Sequence, residues 1–223
     1  MARLFVPAQE TRVALTVFNS RFVTTLAPAF SVEKARDFIA RIKSEFSDAT
    51  HHVPAFVIGH GASVIAHCHD DGEPSGTAGR PALSVLQGSG LGDAVVVVTR
   101  YFGGTKLGKG GLVRAYGDAV RAVLSQVPLA EKLATHTVLL AVPYHYFERI
   151  RLLIAAHGGQ TLDESFAAEV TVTARFAVSS FPDFQAALQE LSNGSLDALI
   201  VETHDETLVP LGVIGTGNLD LSE

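Results

Sequence analysis

The chain has a single cysteine, Cys68, which excludes an internal disulfide framework and a zinc site built from cysteines. It has no long apolar run: stretches such as Ala94–Val98 end after 5 residues, far short of the roughly 20 needed to span a bilayer. The opening MARLFVPAQE lacks the apolar core of a secretory leader, so the expectation is a protein of the reducing cytoplasm with no membrane partner. Charge is scarce, 18% of residues against 47% hydrophobic, which excludes wholesale disorder. A net charge of −6 argues against a generic polyanion binder. The 223 residues suffice for one large domain or two small ones.

The charge is divided unevenly. Residues 1–134 hold 14 Lys/Arg against 11 Asp/Glu, whereas residues 135–223 hold 3 against 12. Two domains with different partners would explain the split, and so would an acidic domain that keeps the protein dissolved. Arg12–Asn19 and Arg21–Pro28 alternate as two strands joined by a tight turn. Ser31 caps a predicted helix with Val32, Ala35, Phe38, Ile39, Ile42 and Phe46 on one face. Val53–His60 and Ser63–His67 read as a hairpin around Gly61-Ala62, followed by a helix over 79–87 and a doubly apolar strand at Asp93–Tyr101. A longer helix then carries the stripe Leu112, Ala115, Tyr116, Ala119, Val120, Val123. Val127–Thr135 has the look of a linker. Beyond it the order is strand His136–Pro143, helix Tyr144–His157, strands Gln160–Phe166 and Ala168–Val178, a helix capped by Ser180, and strand Leu196–His204. This is βαββαβ, the ferredoxin-like order. The tail 205–223 has no period and is expected to be irregular.

Chemistry concentrates between Asp70 and Gly117, where DDGEPSGTAGRP and GGTKLGKGGLVRAYG flank a helix and a strand. Eleven glycines lie between those two positions, and two glycine turns opening onto helix N-termini suggest an anion-binding surface. The phosphate-binding candidates are Arg80, Arg100, Gly103, Gly104, Lys106, Gly108, Lys109, Gly110, Gly111 and Arg114. The second turn nearly matches a nucleotide-binding P-loop, but Gly110 stands where that motif has the hydroxyl that holds Mg²⁺, so nucleotide hydrolysis by that route is not expected. A structural turn with its lysines in solvent is the plainer reading, and for Arg100 a salt bridge with core packing is the simpler account, with Arg80 or Arg100 expected to neutralise the nearby carboxylates. Asp70, Asp71 and Glu73 form an acidic cluster that could act as acid and base or simply make a turn. His51, His52, His67 and His69 are weak metal candidates without a regular ligand spacing. No residue is assigned a catalytic role and no cofactor is expected.

The segments Asp70–Pro81 and Arg100–Gly117, with Ser20-Arg21-Phe22 and His51-His52, resemble the signature of the IMPACT/YigZ family, also called uncharacterised protein family 0029, in its bacterial two-domain form. The resemblance covers nearly the whole chain. It implies an α+β protein: an N-terminal α/β sandwich like the second domain of small-subunit ribosomal protein five over residues 1–134, and a ferredoxin-like domain over 135–204. It also implies translation regulation, as eukaryotic members are regarded as regulators in the amino-acid starvation response. His67, His69 and Lys109 lie outside the family pattern. Two functions remain open. One is a translation regulator that binds RNA, the ribosome or a protein of the translation machinery through the basic glycine surface. The other is an enzyme acting on a phosphorylated small molecule, with the glycine loop as phosphate cradle and the carboxylates as base or metal ligands.

Overall fold

A computed structural model describes residues 4–61 and 63–211. The chain divides into two compact units, Met1–Ala130 and Glu131–Glu223. With two separate sheets and five helices the protein is α+β.

The first unit contains β1 (Phe5–Pro7), β2 (Thr11–Val17), β3 (Ser20–Pro28), α1 (Val32–Glu45), β4 (His51–Ile58), β5 (Ile65–Cys68), α2 (Gly79–Gly88), β6 (Ala94–Tyr101) and α3 (Gly108–Leu124). Its main sheet has the order β2-β3-β6-β4-β5 with every pair antiparallel. Central β6 explains the unbroken valines: Val96 and Val98 join Leu86, Tyr116 and Val120 in one core, while Val95 joins Ala35, Phe56 and Ile58 in another. A strand covered on both faces needs apolar residues at every position. The helix α1 starts where the Ser31 hydroxyl accepts the Lys34 amide at 3.2 Å, the usual N-cap geometry. Two glycines allow backbones to touch. A Cβ on Gly79 would lie 2.9 Å from the His69 carbonyl, and one on Gly103 only 2.0 Å from the Asn19 oxygen. The acidic turn is therefore pressed onto the end of β5, and the turn after β6 onto the β2–β3 hairpin.

The second unit is built from β7 (Leu129–Val142), α4 (Tyr144–Ala156), β8 (Gln160–Phe166), β9 (Val170–Ala177), α5 (Phe181–Ser192) and β10 (Leu199–Pro210). Strand β9 lies between β7 and β8, antiparallel to both, and β10 pairs β7. The lateral order β10-β7-β9-β8 with this connectivity is ferredoxin-like. Val138, Leu140, Ile150, Ile154, Phe176, Phe184 and Leu188 form its core, with Phe176 and Phe184 stacked at 4.2 Å.

Three readings of the sequence need correction. Residues 129–135 are strand rather than linker, and Ala130, Glu131 and Thr135 are buried; the charges, Pro128 and the lack of strict alternation hid the strand. Residues 205–210 belong to β10, whose exposed edge position leaves no apolar period; residues 212–223 lie outside the described residues, as does Ala62 of the β4–β5 turn. Ser180 precedes α5 without capping it through its side chain, because its hydroxyl donates to the Ala177 carbonyl. No helix among the described residues is long and apolar enough to cross a membrane.

The two serines separate cap from bystander. Ser31→Ala is expected to lower stability by about 1 kcal/mol, and Ser180→Ala by less than about 0.5 kcal/mol, in urea denaturation. Equal losses would contradict the assignment.

Candidate functional site

The acidic turn sends its three carboxylates to three different places. Asp70 folds back on its own loop: Oδ2 accepts the Gly76 amide at 2.8 Å, and Oδ1 accepts the amides of Ala78 at 3.1 Å and Gly79 at 2.8 Å. It thereby occupies the N-terminus of α2, which has no side-chain cap from its own N-cap residue. Burial raises the Asp70 pKa, but the three amides outweigh it and hold the carboxyl below its ordinary value. Asp71 accepts from Lys43 Nζ at 2.7 Å and from the His52 amide at 2.7 Å. These bonds and the lysine charge likewise outweigh burial and lower its pKa. Glu73 is buried, and its Oε1 receives both Arg100 Nη1 at 2.5 Å and the Tyr116 hydroxyl at 2.8 Å. Burial and then the Glu73 charge push the Tyr116 phenol well above its ordinary pKa.

Arg100, singled out from the sequence as a phosphate ligand, is only 4% exposed. Strand pairing sets it beside Phe22 of β3 and His51 of β4. Its Nη2 donates to Ser20 Oγ at 3.2 Å, and the Gly103 amide donates to the same oxygen at 3.3 Å. The guanidinium carbon lies 5.5 Å from the ring centroids of both Phe22 and Phe102, within cation–π range. Of the two readings the sequence leaves open for Arg100, the structure shows the salt bridge and core packing: the side chain pairs with Glu73 and ties the two glycine turns to the sheet.

The exposed cations lie elsewhere. Arg80, Lys106, Lys109 and Arg114 are exposed, and among the described residues none has a side-chain ion pair or hydrogen bond. Gly103, Gly104, Gly108, Gly110 and Gly111 form the turn and the opening of α3. No side chain caps α3 from its N-cap residue, and its first turn has no acidic residue. Arg114 and Arg121 sit two turns apart on one face of α3. Beside them, Arg80, Pro81, Val85, Val113, Gly117 and Arg121 line a groove of about 380 Å³ between α2 and α3.

Three of the four histidines meet Asp71 rather than a shared metal position, with His69 Nδ1 accepting the Asp71 amide at 2.9 Å. A ring nitrogen of His51 bonds the Asp71 carbonyl at 2.8 Å, and one of His52 the Phe46 carbonyl at 2.9 Å. His67 and His69 line a recess of about 340 Å³ with Arg36, Lys43, Phe56 and Ile65. No group of three or more His, Cys, Asp or Glu suited to a metal ion occurs among the described residues. The sequence reading did not connect Ser20 and Tyr116 to the Arg100–Glu73 pair. One signal was available: a tyrosine within an apolar helical stripe needs a partner for its hydroxyl.

Removing one member of a buried ion pair leaves the other uncompensated. Arg100→Met is expected to cost about 3–5 kcal/mol and Tyr116→Phe about 1–2 kcal/mol, read by urea midpoints; near-neutral results would place the network at the surface. Asp70 and Asp71 have folded pKa values below their unfolded ones. Their stabilisation is therefore full above the unfolded pKa and is lost as pH falls through the folded value. Asp70→Asn should be less stable than wild type at pH 7, with the gap closing below about pH 4. A gap independent of pH would show that the carboxylate charge plays no part.

Known proteins share both halves of this architecture. The family model for the Impact N-terminal domain matches residues 18–124, which span both glycine turns, and the domain of unknown function DUF1949 matches residues 140–195. The IMPACT family member YigZ of Escherichia coli (strain K12) is 37% identical over 203 residues, covering 91% of this chain and 100% of that protein. The IMPACT family member YvyE of Bacillus subtilis (strain 168) is 35% identical, covering 82% of this chain and 84% of its own. A solved crystal structure of a hypothetical protein, 37% identical, superposes with a TM-score of 0.59 over 91% of this chain and 98% of the other. With both of its units matched and a relative aligned from end to end, the chain belongs to the IMPACT family.

Proposed function

We propose that this protein regulates translation by binding RNA non-covalently through the cationic glycine surface of its first unit. The observation that carries the proposal is the set of four exposed cations, Arg80, Lys106, Lys109 and Arg114, that have no side-chain partner among the described residues. Three of them flank or extend from the opening of α3, where backbone N–H groups and the helix dipole favour an anion. The contrast with α2 supports the reading, since there Asp70 already occupies the helix start. The translation setting comes from the family. Residues 135–223, with 3 basic against 12 acidic side chains, repel RNA and suit a protein of the translation machinery instead.

The enzyme reading draws less support from the geometry. It needs a carboxylate available as base or metal ligand, and the three in the acidic turn are engaged by backbone amides, Lys43, Arg100 and Tyr116.

Fluorescence anisotropy with a short RNA, titrated across salt, tests the proposal. The double variant Lys106→Ala/Lys109→Ala should bind more weakly, and the slope of log affinity against log salt should flatten by about one for each phosphate no longer neutralised. Absence of polyanion binding by the wild type at low salt overturns it.

A further inference from the structure

Two aromatic rings stand beside the cationic turn. Phe18 is 71% exposed and Phe102 47% exposed. Their backbones are neighbours, because a Cβ on Gly103, next to Phe102, would lie 2.0 Å from the oxygen of Asn19, next to Phe18. Phe18 has φ +44 and Asn19 φ +63, as a two-residue hairpin turn requires. Asn or Gly suits the first of these positions; a phenylalanine there is strained and gives nothing to the core. Phe102 sits over the buried Arg100 guanidinium, 5.5 Å from its centroid, which fixes the ring without covering it. Lys106 and Lys109 follow within the same turn and helix start.

Exposed rings next to unpaired cations are the two components of single-strand recognition: a π-face for a base and a positive charge for its phosphate. Duplex RNA offers phosphates but keeps its bases stacked and out of reach. We infer that Phe18 and Phe102 form a stacking platform, so that the RNA bound at this surface is single-stranded and held by unpaired bases as well as by its backbone. The inference rests on the RNA-binding reading above and names the state of RNA it takes.

The test uses the full chain and three probes of about twelve units, within the range that single-strand sites cover: oligoadenylate, duplex RNA, and an abasic phosphodiester oligomer. Phe18→Asn relieves the turn, and Phe102→Leu keeps apolar cover over Arg100, so both variants should fold; thermal unfolding checks this. The wild type should bind oligoadenylate at least about fivefold tighter than the other two. Each variant should lose most of that advantage while binding the abasic oligomer as the wild type does. If the wild type does not distinguish oligoadenylate from the abasic oligomer, or if the folded variants bind oligoadenylate unchanged, the stacking inference is overturned and RNA binding by charge alone survives. A platform built for a protein partner would give this same result. If no probe binds at low salt, both readings fall.

Discussion

The ion pair between Arg100 and Glu73 is the constraint on which the rest of the first unit depends. It joins the end of β6 to the acidic turn, and its partners extend the tie to β3 through Ser20 and to α3 through Tyr116. Two charges taken out of water need hydrogen bonds from their neighbours. Ser20 and Tyr116 supply them, although Arg100 Nε has no hydrogen-bond partner among the described residues, and bringing these segments together explains the glycines. The turn after β6 must lie directly on the β2–β3 hairpin, and the start of α2 directly on the end of β5; Gly103 and Gly79 leave no room for a side chain at either place. Once the acidic turn is drawn inward, the basic residues of the same motifs are left outside without carboxylates to pair with.

Much of the fold was legible. Helix α1 announces itself through Ser31 and its apolar spacing, β6 through consecutive valines, and the second unit through its alternation of strand and helix. What stayed hidden depends on contacts between segments far apart in sequence. The doubly apolar strand hinted that Arg100 is buried, but its partner Glu73 follows only from the register that sets Arg100 between Phe22 and His51. Nor does the spacing of Asp70, Asp71 and Glu73 reveal that one binds amides, one a lysine and one an arginine. The first residues of β7 and the last of β10 were hidden for another reason: strands with charged or exposed positions lack the apolar alternation by which strands are recognised. The family resemblance did carry over to the whole chain, since it rests on the residues that build the network.

The two units differ in charge. The first has exposed cations and two exposed rings, while residues 135–223 hold 3 basic against 12 acidic side chains. The proposed function rests on this difference, since cations attract a polyanion and exposed rings offer faces to unpaired bases. Gly110, which removes the Mg²⁺ hydroxyl from an otherwise P-loop-like turn, is consistent with a loop that holds phosphate without transferring it.

The central claim is that RNA engages the face bearing the glycine turn. Ultraviolet crosslinking of the full chain to a single-stranded RNA, followed by mass-spectrometric mapping of the adducts, tests it most directly. The account predicts adducts within residues 18–21 and 102–114 and at Arg80. Adducts confined to the second unit, or to the recess between α1 and β5, would contradict it.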